Sequence, residues 1–416
     1  MDYFQMICKR NAEARALVAD GKTYTYGDLV CLARELGESF GIRQENEDRR
    51  IHVIKEKNII SQLVSFFACY VSGEIPLIVP FASKDFENGQ RITDISIPEH
   101  ACMAVATSGT TGEPKIYFRS YESWAGYFPV QNEIFQITEE SCLFAQGSLA
   151  FTGNLNLYMG QFYAGGAVVA ETAFLPDRWE ERMAVEHVNC IYLIPSKLML
   201  LPKVFQKKNS AVRMILSGSQ SLGKADAAKL KKVFPNTGIL LYYGASELNY
   251  ITYVTDEFMS DDRTLIGKPF PEVTVCIKEG ELYVTTDYHV ENVECPYSLS
   301  DKGRQDEDGN FYFLGRKDDI MNVRGRKISS LKIENKLEEL SEVREAAVVL
   351  DRCSRKAEER IVAYVVPGKG YLENVVYEKL RGLLEHYEMP RRIYVVDSLP
   401  KNESGKVDKK KLNMLY

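Results

Sequence analysis

Apolar runs of strand length alternate along this chain with amphipathic stretches of helical spacing, the pattern of an α/β protein. One unit is unusually legible. VRMILSGSQ (212–220) predicts a strand that ends in a loop of small residues. LGKADAAKLKKVF (222–234) predicts a helix, because Ala227, Leu230 and Phe234 recur at helical spacing with lysines on the other side. PNTG is a turn, and GILLYYGASE (238–247) is a second strand that again runs into small residues. A strand–helix–strand unit makes its strands parallel, with a right-handed crossover. The loops SGSQS and YGASE therefore leave the same edge of the sheet, the edge at which open α/β sheets bind ligands.

A change of pattern falls near FLGRKDDIMNVRGRKIS. Before it, DEDGNFYF reads as a hairpin with Asp-Gly at its turn. After it, SSLKIENKLEELSEV predicts an amphipathic helix with Ser330 as N-cap. REAAVVLD, ERIVAYVVPG and RRIYVVDSLP read as strands, and NVVYEKLRGLLEHY as a helix. The expected organisation is a large N-terminal α/β domain with parallel-type sheets (1–316), a hinge (317–319) and a small C-terminal α+β domain (320–416).

Composition narrows the partners. The chain has 416 residues, 45% hydrophobic and 26% charged, with 52 Lys and Arg against 58 Asp and Glu for a net charge of −6. Such a balance offers no whole-protein attraction to nucleic acid or to an anionic membrane. No apolar run approaches the roughly 20 residues that span a bilayer, and the N-terminus does not read as a secretory signal. Nine Cys, an odd number, stand in no C-x-x-C pair, and the five His are far apart. The expectation is a cytoplasmic protein without a structural zinc site.

Candidate chemistry begins at ATSGTTGEPKI (106–116), directly after the apolar run CMAVA. Taken alone, this loop reads equally as a surface turn or as a loop that wraps phosphate oxygens. It lacks the G-x-x-x-x-G-K-[ST] spacing of a P-loop. Further along stand YYGASE, GRKDDIMNVRGRKIS and LPKNESGKVDKKKL, with the weaker YTYGDL and IGKPFP. In this order, from about Tyr24 to Leu412, they resemble the motifs of the adenylate-forming superfamily. That family holds the acyl- and aryl-CoA synthetases, the adenylation domains of peptide synthetases, and the luciferases.

The resemblance implies a role for each motif. Thr107, Ser108, Thr110, Thr111 and Lys115 would hold the β- and γ-phosphates of ATP, with Gly109 and Gly112 allowing close backbone approach. Glu247 would bind Mg²⁺, for which a single carboxylate with phosphate oxygens suffices. Ser246 stands where the family usually has Thr and keeps the hydroxyl. Ser217, Gly218, Ser219, Tyr243, Gly244 and Ala245 would line the nucleotide. Asp301 would accept from both ribose hydroxyls, although Leu-Ser precedes it where the family usually has Thr-Gly, and Arg316 would add a contact. Asp318 matches the hinge about which the small domain swings as a lid, and Gly325 the glycine beside the thiol tunnel. Lys406 would reach the acid and the α-phosphate. Lys401, Lys409, Lys410 and Lys411 read as a solvated basic tail.

The stretch LAFTGNLNLYMG carries no Asp where peptide-synthetase adenylation domains usually pair one with an α-ammonium. A buried ammonium without a counter-ion is costly, so an α-amino acid is disfavoured. Phe151, Gly153, Asn154, Tyr250 and Tyr253 would suit an aryl or modest acyl chain. The expected protein is a compact, stand-alone, AMP-forming ligase. It uses ATP and Mg²⁺ to make an acyl or aryl adenylate and passes the acyl group to CoA or to the phosphopantetheine of a separate carrier protein. The alternatives are a stand-alone amino-acid adenylating enzyme and, from another class, a non-catalytic nucleotide-binding homologue.

Overall fold

A computed structural model describes residues 1–41, 48–108, 114–316, 319–323, 326–351, 360–401, 407–409 and 411–412. The chain forms two compact units. The first comprises Met1–Asp262, Ile266–Val275 and Val284–Tyr297, and the second Arg263–Leu265, Cys276–Tyr283 and Ser298–Tyr416.

The first unit contains two sheets. In the larger, Gly238–Ala245, Met214–Gly218, Cys190–Tyr192, Cys142–Gln146, Ala167–Glu171 and Arg15–Ala19 lie side by side. All of these run parallel. Antiparallel neighbours, Asn249–Thr255 and Lys22–Thr25, flank them. The strand–helix–strand unit expected from sequence is present, with the helix at Lys224–Val233 and Ala227, Leu230 and Phe234 buried. The parallel core strands read as unbroken apolar runs because both faces are covered. The weak YTYGDL motif has a structural reason. Thr25 caps the helix Tyr26–Phe40 in a capping box with Asp28, and the Tyr26 hydroxyl donates to Gly166 O at 2.7 Å.

The second sheet has the order Arg91–Ile92, Ile51–Ile54, Ile75–Ile78, Ala101–Ser108, Pro114–Ser120. At its base lies a buried ion cluster that sequence reading did not find. The Glu74 side chain is fully buried and receives Arg50 Nε at 2.5 Å, Arg91 Nε at 2.7 Å and His52 Nδ1 at 2.7 Å. Burial would push this carboxyl up, but the hydrogen bonds from His52, Arg91 and Arg50 outweigh it and hold the group at about 2, against an ordinary 4.5.

In the second unit the hairpin of Tyr297–Gln305 and Phe311–Arg316 precedes a short hairpin, Ile320–Val323 with Arg326–Ser329. A three-stranded sheet follows, in which Arg360–Pro367 runs antiparallel to Val343–Asp351 and parallel to Arg392–Val395. Helices Ser330–Glu338 and Glu373–Arg381 cover it, with Ile333, Leu337, Val376 and Leu380 in the core. Two expectations need correction. While Tyr297 stays with the first unit, residues 298–316 of the hairpin group with the C-terminal unit and not with the large domain. The end of the hairpin is tied there by the Ser329 hydroxyl, which donates to Leu314 O at 2.8 Å. The helix is capped by Ser329, whose Oγ accepts from Lys332 N, while Ser330 is the first helical residue. Among the described residues no helix is long and apolar enough to cross a membrane.

The Glu74 cluster gives a pH prediction. A depressed carboxyl contributes stability above its ordinary range, and that contribution is lost as the pH falls from about 4.5 through about 2. Glu74→Ala should lower stability by about 3–5 kcal/mol, the usual effect of breaking a buried pair. Glu74→Gln should flatten the acid limb of the Tm–pH curve, read by circular dichroism. An unchanged acid limb would show that the cluster does not couple to unfolding.

Candidate functional site

The strand Gly238–Ala245 turns at 246–248 into the antiparallel Asn249–Thr255, and this turn carries Ser246 and Glu247. The pairing slips by a residue between Tyr243 and Gly244. A Cβ on Gly244 would lie 2.6 Å from Asn249 O, so the closure requires glycine. Side chains from other elements fix the turn. Thr152 Oγ1 and Ser246 Oγ share a hydrogen bond of 2.8 Å. Asn156 Nδ2 donates to Asn249 Oδ1 at 2.9 Å, and Val290 N to Glu247 O at 2.8 Å. Ala245 ends the strand, paired with Asn249.

The hydroxyl-rich loop closes a hairpin. Ala101–Ser108 pairs antiparallel with Pro114–Ser120, and Thr107↔Lys115 and Ser108↔Pro114 are the last pairs before it. Lys115 is exposed. Gly109, Thr110, Thr111 and Gly112 lie outside the described residues, as do the side chains of Thr107 and Ser108. The returning strand brings the hairpin to the Glu247 turn. Burial, and next the Glu247 carboxylate, push the Tyr117 phenol up. Arg119 is fully buried, and its Nη2 donates to Ser246 O at 2.5 Å. Its Nη1 reaches Tyr288 O at 3.2 Å and Ser123 Oγ at 3.2 Å, and the guanidinium lies over Trp124 at 5.0 Å. Burial lowers Arg119 to about 10, so it stays charged at neutral pH. Sequence reading missed this residue. The signal was one charged position inside the apolar strand IYFRS.

The remaining predicted residues divide. Gly153 opens the start of the buried helix Thr152–Ala164, where a Cβ would lie 2.4 Å from the Tyr192 hydroxyl and 3.0 Å from Phe151 Cε1. Tyr192 and Tyr242 hydroxyls bond at 2.7 Å behind it. A Cβ on Gly218 would meet the Tyr242 ring at 2.7 Å. Ser219 is exposed at φ +71°, and Tyr243 is half-buried. Asn154 is buried and donates to Ser148 O at 3.0 Å. Ser217 is buried, and its hydroxyl donates to Leu193 O at 2.7 Å. Tyr250 belongs to the core, packed among Tyr242, Phe135 and Phe270 with centroids 4.9–5.3 Å away. Tyr253, half-buried, meets the same Phe270 in a tilted arrangement at 4.6 Å.

Lys197, also unforeseen, follows the strand Cys190–Tyr192. Its Nζ donates to Gln146 O at 3.3 Å, and burial alone lowers it to about 8.

In the second unit Asp301 is buried and faces Arg316 across the hairpin, with Nε 3.5 Å from Oδ1. The expected ribose pair is thus brought together. Asp318, Gly325 and Lys406 lie outside the described residues. Their surroundings are described. Lys401 and Val407 form an antiparallel bridge around the segment that holds Lys406, and Asp408 N donates to Pro400 O at 2.7 Å. Lys409 is no part of a solvated tail. Its Nζ lies 3.1 Å from Asp319 Oδ1, 2.9 Å from Glu334 Oε1 and 2.8 Å from Ser330 Oγ. Burial would lower this ammonium, but the two carboxylates outweigh it and raise it.

The sequence profile of the AMP-binding enzyme family matches residues 79–287, half of the chain, and that of its C-terminal domain matches residues 332–406. The chain belongs to the AMP-binding enzyme family. Triostin synthetase I of Streptomyces triostinicus is 26% identical over 492 residues, 98% of this chain and 92% of that protein. The uncharacterized acyl–CoA ligase YhfT of Bacillus subtilis is 27% identical over 327 residues, 74% of this chain and 67% of that one. The fold matches o-succinylbenzoate coenzyme A synthetase from Bacillus subtilis, in complex with ATP and magnesium ion, with a TM-score of 0.83 at 18% identity over 99% of both chains. As an AMP-binding enzyme the chain is an adenylate-forming ligase, of a family that uses ATP with Mg²⁺ and CoA or phosphopantetheine acceptors.

Arg119 ties the hairpin of Ala101–Ser108 and Pro114–Ser120 to the Ser246–Glu247 turn. Arg119→Met should cost roughly 1.5–3 kcal/mol in denaturant unfolding, because the Ser246 and Tyr288 carbonyls lose a charged donor. Arg119→Lys should recover part of this loss. Equal stability of all three proteins would remove Arg119 from this role.

Proposed function

We propose that the chain joins a small aryl or short acyl acid to a pantetheine thiol in two steps. The observation that carries this reading is the meeting of the phosphate-loop hairpin with the Ser246–Glu247 turn through Tyr117 and Arg119. In the first step a carboxylate oxygen attacks the α-phosphorus of ATP. The new acyl–O–P bond forms as the bond to pyrophosphate breaks. Thr107, Ser108, Thr110, Thr111 and Lys115 hold the leaving phosphates, with Gly109 and Gly112 giving backbone access. Glu247 is the magnesium ligand, and Ser246 donates to the α-phosphate. Asp301 and Arg316 take the ribose. Lys406 meets the charge that builds on the phosphoryl group.

In the second step the small domain turns about Asp318 and presents Gly325 to the thiol. Sulfur attacks the acyl carbon, AMP departs with the bonding pair of the C–O bond, and the thiol proton goes to solvent. Gly153, Phe151 and Asn154 line the acid. The cytoplasm, where free thiols persist, is the proposed compartment. Loading of an amino acid onto a separate carrier is the second reading, favoured by the match to triostin synthetase I along 98% of the chain.

Pyrophosphate exchange over a panel of aryl acids, short acyl acids and amino acids tests the reading. Faster exchange with amino acids would select the second. Asp301→Ala should weaken ATP binding by roughly 1.5–3 kcal/mol in titration calorimetry, since a charged acceptor is lost. Lys406→Ala should slow exchange by about 10²–10³ and slow thioester formation from supplied acyl adenylate far less. Equal losses in both half-reactions of a folded variant would argue against domain alternation.

A further inference from the structure

Lys197 is the charged group that the mechanism above leaves unused. It stands just past the carboxyl end of the parallel strand Cys190–Tyr192, between Cys142–Gln146 and Met214–Gly218. Ligands of open α/β sheets lie beyond those ends. Two loops border it. On one side its Nζ donates to Gln146 O at 3.3 Å. A Cβ on Gly147 would lie 3.6 Å from Lys197 Nζ and 3.4 Å from Asn154 Nδ2, so the ammonium and the Asn154 amide flank the same glycine. On the other side, the preceding residue's amide, Ser196 N, donates to Gln220 Oε1 at 3.0 Å.

An ammonium has three donors, and the Gln146 carbonyl takes one. No acidic side chain among the described residues pairs with it. Burial is the sole cause of its lowered pKa, as expected for a cation held away from carboxylates. A lysine kept only for stability would gain from a carboxylate partner or from full exposure, and this one is half-buried with no acidic partner among the described residues. It shares its surroundings with Asn154, and with Gly153 beside Tyr192, in the acid-binding part of the site. The phosphate loop, in contrast, closes a hairpin of the other sheet.

From this placement we infer that Lys197 is a specificity-determining residue, and that the acid activated here carries a second anionic group, held by Lys197, away from the carboxyl that is adenylated. This rests on the ligase reading above and gives its substrate class, a diacid or an acid of equivalent charge. It also adds a repulsive element against α-amino acids, because an ammonium would face an ammonium.

Matched pairs test it. ATP–pyrophosphate exchange by the full chain is measured with hexanoate against adipate and with benzoate against phthalate and terephthalate. For the wild type, kcat/KM should be at least tenfold higher for one or more diacids than for the matched monoacid. In Lys197→Met the diacid-to-monoacid ratio should fall at least tenfold, chiefly through KM for the diacid, and Lys197→Arg should restore much of it. The Tm of Lys197→Met should equal or exceed that of the wild type, because a desolvated charge is removed.

Wild-type preference for monoacids would overturn the inference without reference to any variant. So would a Lys197→Met loss that is equal for both acid classes or that falls on KM for ATP. Exchange with no acid of either class would instead overturn the ligase reading itself.

Discussion

A guanidinium taken out of water must be surrounded by acceptors or the fold around it fails. Arg119 meets that requirement with main-chain carbonyls from separate segments, at Ser246 and Tyr288, together with the Ser123 hydroxyl and the Trp124 ring. The hairpin that holds the phosphate loop belongs to one sheet, and the Ser246–Glu247 turn to the other. Neither sheet alone dictates where its loop lies relative to the other. The buried cation does, since its planar fork accepts only a narrow set of carbonyl positions. Thr152 and Asn156 then hold the turn from the helix that also carries Gly153. The hydroxyl-rich hairpin, the Glu247 turn and the start of the helix Thr152–Ala164 share one frame.

Small residues in this frame set room and not flexibility. Gly153 and Gly218 stand where the Tyr192 and Tyr242 rings approach, and a single methyl at either would collide with a phenol. The paired hydroxyls of these tyrosines satisfy each other at 2.7 Å, so the floor of the pocket is polar in composition but closed in hydrogen bonding.

Much of this was legible in the chain and part was not. The strand–helix–strand unit was readable because Ala227, Leu230 and Phe234 follow one helical period and small residues mark the strand ends. Motif order was sufficient for the family. Side-chain partners were not readable. Arg119, Lys197 and Lys409 find theirs on segments far away in sequence, and nothing local distinguishes them from surface charges. Tyr250 was hard to read for the opposite reason. An aromatic near a motif looks like a pocket wall until the strand's alternation assigns it to the packed face. Ser217 shows the same ambiguity on the scale of one hydroxyl. The Ser329–Ser330 pair offered two equivalent caps, and the backbone chose the earlier.

Lys409 has a bearing on how the chain can be handled and how it can diverge. Its ammonium pairs with Asp319 and Glu334; burial, and in smaller part the Asp319 carboxylate, push the Glu334 carboxyl up, and Lys409 opposes that rise. Glu334 also accepts from Val348 N at 2.7 Å, so the cluster reaches the edge strand Val343–Asp351 of the small sheet. Lys409 thus ties two elements of the second unit together. Removing the Lys409 ammonium would leave the buried Glu334 carboxylate beside Asp319 without its cation. An apparent defect in domain motion would then originate in an unbalanced charge.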